Sequence, residues 1–126
     1  MATGVVVFAH GSSVESANEA VRIVARVISE DSSFPLVSTC FLDGGKPDLP
    51  GAVDELVARG ATRILVVPYF LTVGLHLKRD LPELIEKVKA ERQDLEIQVT
   101  PPLDGHPGLG AILRDRAKEG IAQWHS

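Results

Sequence analysis

Val5-Val6-Val7-Phe8-Ala9-His10-Gly11-Ser12 is the stretch on which the fold of this chain turns: five apolar residues that run straight into a histidine, a glycine and a serine. A short apolar run bounded by turn residues, with no polar alternation, marks a strand covered on both faces, and such strands belong to parallel sheets. A second run of the same kind, Ile64-Leu65-Val66-Val67-Pro68-Tyr69-Phe70-Leu71, is followed by Gly74-Leu75-His76. Two buried strands, each leading to a histidine, set the frame for the rest of the chain.

Working outward, strand one is Gly4 to Ala9, and Ser12-Ser13-Val14-Glu15 has the spacing of a capping box that opens a helix. That helix carries Ala17, Ala20, Val21, Val24, Val27 and Ile28 at three-four spacing, and Asp31-Ser32-Ser33 with Pro35 ends it. Strand two is Leu36 to Leu42. After the loop Asp43-Gly44-Gly45-Lys46-Pro47, Asp48 caps a helix whose face is Leu49, Ala52, Val53, Leu56 and Val57, stopped by Gly60. Strand three is Arg63 to Leu71. A loop over Thr72 to Arg79 holds His76, and Asp80-Leu81-Pro82-Glu83 again has capping-box spacing, for a helix with Leu81, Leu84, Ile85 and Val88 inward. Strand four, Leu95 to Val99, alternates, and Pro107 suits the first turn of a last helix carrying Leu109, Ile112, Leu113 and Ile121.

Four consecutive β-α units imply an α/β protein: a single three-layer domain over residues 1–126, with helices on both faces of a four-stranded parallel sheet. Strand two, with Ser38 and Thr39, and strand four, with Glu96 and Gln98, read as edges. Right-handed crossovers then give the order 2-1-3-4, and the chain reverses direction between strands one and three. Ligands of open parallel sheets bind beyond the carboxyl ends of the strands at that reversal, which His10 and His76 would flank.

At 126 residues and 44% hydrophobic content the chain can close one core. Its net charge of -4 argues against a nucleic-acid surface. Cys40, the single cysteine, falls in a strand and reads as a buried thiol in a reducing compartment. Met1-Ala2-Thr3-Gly4 has no basic leader and no apolar stretch approaches the ~20 residues that span a bilayer, so the expectation is a soluble, cytoplasmic protein.

The candidate chemistry is modest residue by residue. A histidine at a strand end commonly bonds a loop carbonyl and nothing more. Two at one switch point suggest metal binding or proton transfer, and Asp43 at the end of strand two could complete a set of two nitrogens and one oxygen, although Asp before Gly-Gly is by itself better explained as an ordinary turn. No phosphate loop and no nucleophile elbow is present, so Ser12 and Ser13 read as caps. Lys46, Lys78 and Arg79 lie in loops on the same edge and could meet an anionic ligand, or could be solvated surface charges. His106 and His125 carry less weight as ligands.

Taken together, His10-Gly11-Ser12 with Asn18, Phe41-Leu42-Asp43 with Pro47, Gly60-Ala61-Thr62, Val66-Val67-Pro68-Tyr69-Phe70-Leu71, Gly74-x-His76, Asp80-Leu81-Pro82 and Gly105-His106-Pro107 resemble, over almost the whole chain, the small single-domain sirohydrochlorin metal-chelatases. These are class II tetrapyrrole chelatases of cobalamin and sirohaem synthesis, with a flavodoxin-like chelatase fold. The resemblance implies a lyase that inserts a divalent ion, Co²⁺ or else Fe²⁺ or Ni²⁺, into sirohydrochlorin, the metal being substrate and no organic cofactor being needed. It implies His10 and His76 as metal ligands and bases. Many relatives have glutamate where this chain has Asp43, a carboxylate one methylene shorter. Ser12, Lys46, Lys78 and Arg79 would contact the carboxylate-rich macrocycle. Longer relatives contain two such repeats, so the single repeat is expected to pair as a homodimer, without nucleic-acid or membrane partners. The alternative is a carrier of the same fold that holds metal or tetrapyrrole without inserting one into the other.

Overall fold

The computed structural model describes residues 2–125 and, of His76 and His125, the backbone alone. Eight elements follow in strict alternation: β1 (Thr3–Ala9), α1 (Glu15–Ser29), β2 (Leu36–Phe41), α2 (Leu49–Ala58), β3 (Arg63–Pro68), α3 (Leu75–Glu91), β4 (Glu96–Val99) and α4 (Gly108–His125). The strands form one parallel sheet in the order β2-β1-β3-β4, as the crossover rule requires. Val5 pairs with Val37 and Leu65, and Val7 with Thr39 and Val67, so these residues share one face of the sheet.

Alternate residues of the strands feed two cores. On one face Val6, Phe8, Ile64, Val66 and Ile97 pack with Leu49, Ala52, Val53 and Leu56 of α2 and with Leu77, Leu81, Ile85 and Val88 of α3. On the other, Val7, Ala9 and Phe41 meet Val21 and Ala25 of α1. Burying a side chain of this size stabilises the fold by roughly 1.5–3 kcal/mol. The larger cluster holds the sheet's central strands together, and the edges are β2 and β4.

Local chemistry sets the helix ends. Asp48 does cap α2, its Oδ1 accepting the amide of Gly51 at 2.9 Å. After α2 the chain turns at Gly60 with φ +105°, and Ala61 donates to the carbonyl of Leu56. The expected capping box of α1 does not form. The helix starts at Glu15, too late for it, with extended Val14 as N-cap, and the Ser12 hydroxyl accepts the amide of Val14 at 3.0 Å instead. The buried face of α1 is Asn18, Val21 and Ala25, whereas Val24 and Val27, expected inward, are exposed.

Two further boundaries differ from expectation. β3 stops at Pro68 rather than Leu71, where proline removes a ladder donor, and the amide of Tyr69 closes on Phe8 at 2.7 Å. α3 begins at Leu75, not at the capping box Asp80–Glu83, and carries Pro82 within it. The buried residues Leu77, Leu81, Ile85 and Val88 already repeat at helical spacing from Leu77, so packing extends the helix back to Gly74. His76 therefore stands in the first turn of a helix rather than in a loop. Lastly, α4 forms but does not lie on the sheet: Ile112, Leu113, Ile121 and Trp124 are exposed. Among the described residues no helix is long and apolar enough to cross a membrane.

Candidate metal site

The three residues proposed as ligands follow three adjacent strands. His10 follows β1, Asp43 comes two residues after β2, and His76 comes in the first turn of the helix after β3. Because the strands are parallel and ordered β2-β1-β3, the backbone brings all three to the carboxyl edge of the sheet at the switch point.

The β1 and β2 ends are tied together by backbone. Leu42 donates to the carbonyl of Ala9 at 3.0 Å and Asp43 to that of His10 at 2.9 Å, which carries the ladder past the strands. Gly11 makes this closeness possible. It has φ +91°, and a Cβ at that position would lie 1.6 Å from the Asp43 carbonyl oxygen. On the other side Gly44, φ +72°, stands against the backbone of Ser12.

Asn18 locks the junction. It is 1% exposed, accepts the Ser12 amide at 2.9 Å through Oδ1, and donates through Nδ2 to the carbonyls of Ser12 at 2.9 Å and Gly44 at 3.1 Å. One buried side chain thus satisfies backbone groups of both loops. In the sequence it was visible only as part of a motif. The signal that could have singled it out is a polar residue on the same helical face as Val21 and Ala25.

The imidazole of His10 is exposed, and its Nδ1 lies 3.3 Å from the Gly11 carbonyl. The tautomer that donates there leaves Nε2 with the lone pair, which is the form able to bind a metal or take a proton. The carboxylate of Asp43 accepts the amide of Gly44 at 2.8 Å through Oδ1, so its own turn orients it. The His76 imidazole lies outside the described residues. Among the described residues no three His, Cys, Asp or Glu side chains gather into a metal-binding group.

The cations expected to contact an anionic ligand are divided between two hollows. A cavity of about 640 Å³ at the β2 end is lined by Asp43 and Lys46 with Glu15, Arg22 and Phe41. Another, of about 610 Å³, lies on the α3 side and is mostly apolar, with Val73, Leu81, Pro82, Ile85 and Val99 beside Lys78. Arg79 is 3.7 Å from the carboxylate of Asp80. Arg22, not singled out from the sequence, stands 5.5 Å over the Phe41 ring and pairs with Glu15 and Glu19. Its hydrogen bond, with a smaller contribution from Asn18, holds Glu15 below the usual carboxylate range. Ser12 is taken up by its turn. His106 is a cap, its Nδ1 accepting the amide of Gly108 at 2.8 Å. Cys40 is fully buried, and burial pushes its thiol well above the ordinary range, so it is no metal ligand.

Comparison with known proteins matches the chain to a family. Residues 4–120 match the CbiX family. A sirohydrochlorin cobaltochelatase of Methanothermobacter thermautotrophicus is 30% identical, the match covering 94% of this chain and 92% of that protein. A sirohydrochlorin cobaltochelatase of Priestia megaterium is likewise 30% identical over 94% of this chain, which spans only 39% of that longer protein. Among solved structures, a putative cobalamin biosynthesis CbiX protein from Marinobacter aquaeolei superposes with a TM-score of 0.83 at 30% identity, covering 96% of this chain and 98% of that one. The sirohydrochlorin chelatase SirB from Bacillus subtilis subspecies spizizenii, in complex with cobalt, gives 0.74 at 27% identity, covering 81% of this chain and 44% of that one. With nearly its whole length matched, the chain belongs to the CbiX family.

Proposed function

We infer that this protein inserts a divalent metal ion, Co²⁺ or else Fe²⁺ or Ni²⁺, into sirohydrochlorin, with release of the two pyrrole protons. The observation that carries this reading is the placement of His10, Asp43 and His76 past the carboxyl ends of three neighbouring strands, in a chain of the CbiX family. Insertion needs a hydrated ion stripped of some water, held by few protein ligands so that positions stay open, and a base for each departing proton. Imidazole suits Co²⁺, Fe²⁺ and Ni²⁺ and titrates near neutrality, so His10 and His76 serve as ligands and bases. Asp43 adds an oxygen donor, and Lys46 and Lys78 face the carboxylates of the macrocycle from the two cavities.

The unit works as a homodimer that encloses the macrocycle between two copies, a reading supported by relatives more than twice its length. A cytoplasmic setting agrees with the buried, unpaired thiol of Cys40. Sirohydrochlorin absorbance, followed with Co²⁺, Fe²⁺ or Ni²⁺ at substoichiometric protein, tests the activity. Repeated turnovers are expected, and a signal that stops at one equivalent would make the protein a carrier. Light scattering tests the dimer.

A further inference from the structure

Glu15, Glu19, Arg22 and Arg26 follow one another at three- and four-residue spacing along α1, on the flank that meets β2, where Arg22 and Arg26 share a hollow of about 300 Å³ with Val37, Ser38 and Thr39. Both hydrogen bonds of Arg22 leave from one nitrogen. Nη1 donates to Oε1 of Glu15 and, at 3.2 Å, to Oε2 of Glu19, while the guanidinium carbon stands 5.5 Å from the centre of the Phe41 ring. Nε and Nη2 make no hydrogen bond among the described residues. Together they form the edge of the guanidinium that matches the two oxygens of a carboxylate. Surface ion pairs contribute little to stability, so the fold alone gives little reason to pin an arginine between two carboxylates and a ring.

Arg22 also lines the cavity of about 640 Å³ at the β2 end, with Asp43 and Lys46. Phe41, buried under the guanidinium, is the last residue of β2 and comes two before Asp43, so one strand end places both groups. Glu15, Asp43 and Asp48 lie on the same wall, and each is already engaged: Glu15 by Arg22, Asp43 by the amide of Gly44 and Asp48 by that of Gly51. Lys46 is exposed and has no partner among the described residues. A macrocycle whose centre meets a metal ion at His10 and Asp43 extends past them on every side, and its rim carries carboxylates. On the β2 side that rim enters this cavity.

We propose that Arg22 and Lys46 together grip one rim carboxylate of the macrocycle, Arg22 through its Nε–Nη2 edge and Lys46 as a point charge. The inference rests on the chelatase reading above and deepens it, because it names a residue that selects a carboxylate at one place on the rim and so orients the ring over the metal. Glu15, Glu19 and Phe41 hold Arg22 in position beforehand, and a side chain already held loses little freedom on binding. Arg22 transfers neither proton nor metal, so its effect falls on macrocycle binding.

The test is a titration of the full-length protein with metal-free sirohydrochlorin, followed by absorbance, beside steady-state insertion of Co²⁺. Arg22→Gln should weaken macrocycle binding roughly tenfold, the worth of one charge-assisted pair, and raise the KM for sirohydrochlorin, with kcat and the KM for Co²⁺ near native values. Arg22→Lys keeps the charge but lacks the fork, and should recover only part of the loss. Glu15→Gln separates recognition from ion pairing. Its amide oxygen still accepts from Nη1 while its charge is gone, so recognition requires binding as tight as native or tighter, whereas a purely structural pair requires both variants to weaken alike. Thermal melts accompany each variant; if Arg22→Gln melts far below the native chain, the contrast between Arg22→Lys and Glu15→Gln decides. Equal weakening by the Arg22 and Glu15 variants, unchanged binding by the folded Arg22 variants, or a shift confined to the KM for Co²⁺ overturns the grip and keeps the chelatase reading. A native chain that binds sirohydrochlorin without turnover overturns the chelatase reading, and the titration still judges Arg22. A native chain that does not bind sirohydrochlorin overturns both.

Discussion

The amide of Asp43 donates to the carbonyl of His10 at 2.9 Å, so the loop that presents the candidate histidine and the loop that presents the candidate carboxylate are tied together by backbone. Gly11 and Asn18 are what keep them so close, and both can be tested apart from the ligands themselves.

Gly11→Ala should disturb the site and the fold together. Its Cβ would sit 1.6 Å from the Asp43 carbonyl oxygen, at a φ of +91° that also strains any L side chain. Such backbone strain costs roughly 1–3 kcal/mol before the clash is counted. Gly60→Ala is the control, because it shares a positive φ, +105°, but meets nothing within 4 Å. Thermal melts should fall for both, and insertion of Co²⁺ should collapse for Gly11→Ala alone. Equal loss of turnover in the two would refute the steric account.

His10→Ala and His76→Ala should each remove most metal insertion. Loss of a general base typically slows a reaction by ~10²–10⁴-fold. Because His10 is exposed, its truncation opens no core cavity, and the melting temperature should stay within a degree or two. Asp43→Asn should have a smaller effect, since the amide oxygen can still accept the Gly44 amide. Steady-state rates beside melts decide it: near-normal turnover in either folded histidine variant would remove that residue from the site.

Asn18→Ala should loosen both loops. It strands the Ser12 amide and the carbonyls of Ser12 and Gly44. Each unsatisfied buried group costs roughly 1–3 kcal/mol. Asn18→Asp should be worse at neutral pH, because a buried carboxylate cannot donate to those carbonyls, and should recover partly in acid as the carboxyl protonates. Denaturant melts at neutral and acidic pH measure this. An Asn18→Asp protein as stable as the native chain would contradict the hydrogen-bond network.

Cys40 should be silent until the protein unfolds. Burial raises its thiol pKa in the folded state, and the charge of Asp48 adds to the effect. The folded state therefore keeps the proton while the unfolded chain releases it above ~8.5. The stability involved is fully present below that pH and is lost as pH rises further. A thiol reagent should label native protein only at the rate of opening, and Cys40→Ala, less stable throughout, should lose this part of the alkaline slope. Rapid labelling under native conditions would show the thiol accessible.

The sheet was legible in the chain because its information is local. Val5 to Ala9 is apolar without alternation and is buried on both faces; Ile64 to Val67 reads the same way, although Leu65 and Val67 are only half-buried, and the crossover rule then orders the four strands. Asp48 was legible for the same reason, since a cap acts within one turn. Ser12 and Asp80 had equally good capping spacing and do not begin helices. Which turn a helix starts on is decided by where its apolar face meets the sheet, and Leu77 drew α3 back past the signal at Asp80. The placement of His10, Asp43 and His76 beyond the carboxyl ends of three neighbouring strands followed from strand order. The 2.9 Å tie between the first two, the φ of Gly11 and the burial of Asn18 did not, because they arise from loops 26 to 33 residues apart pressed together in space. Leu109, Ile112, Leu113 and Ile121 were legible as apolar positions of a last helix, but the exposure of Ile112, Leu113 and Ile121 was not, because which helices come to rest on the sheet depends on how distant segments pack, and only the tertiary structure decides that.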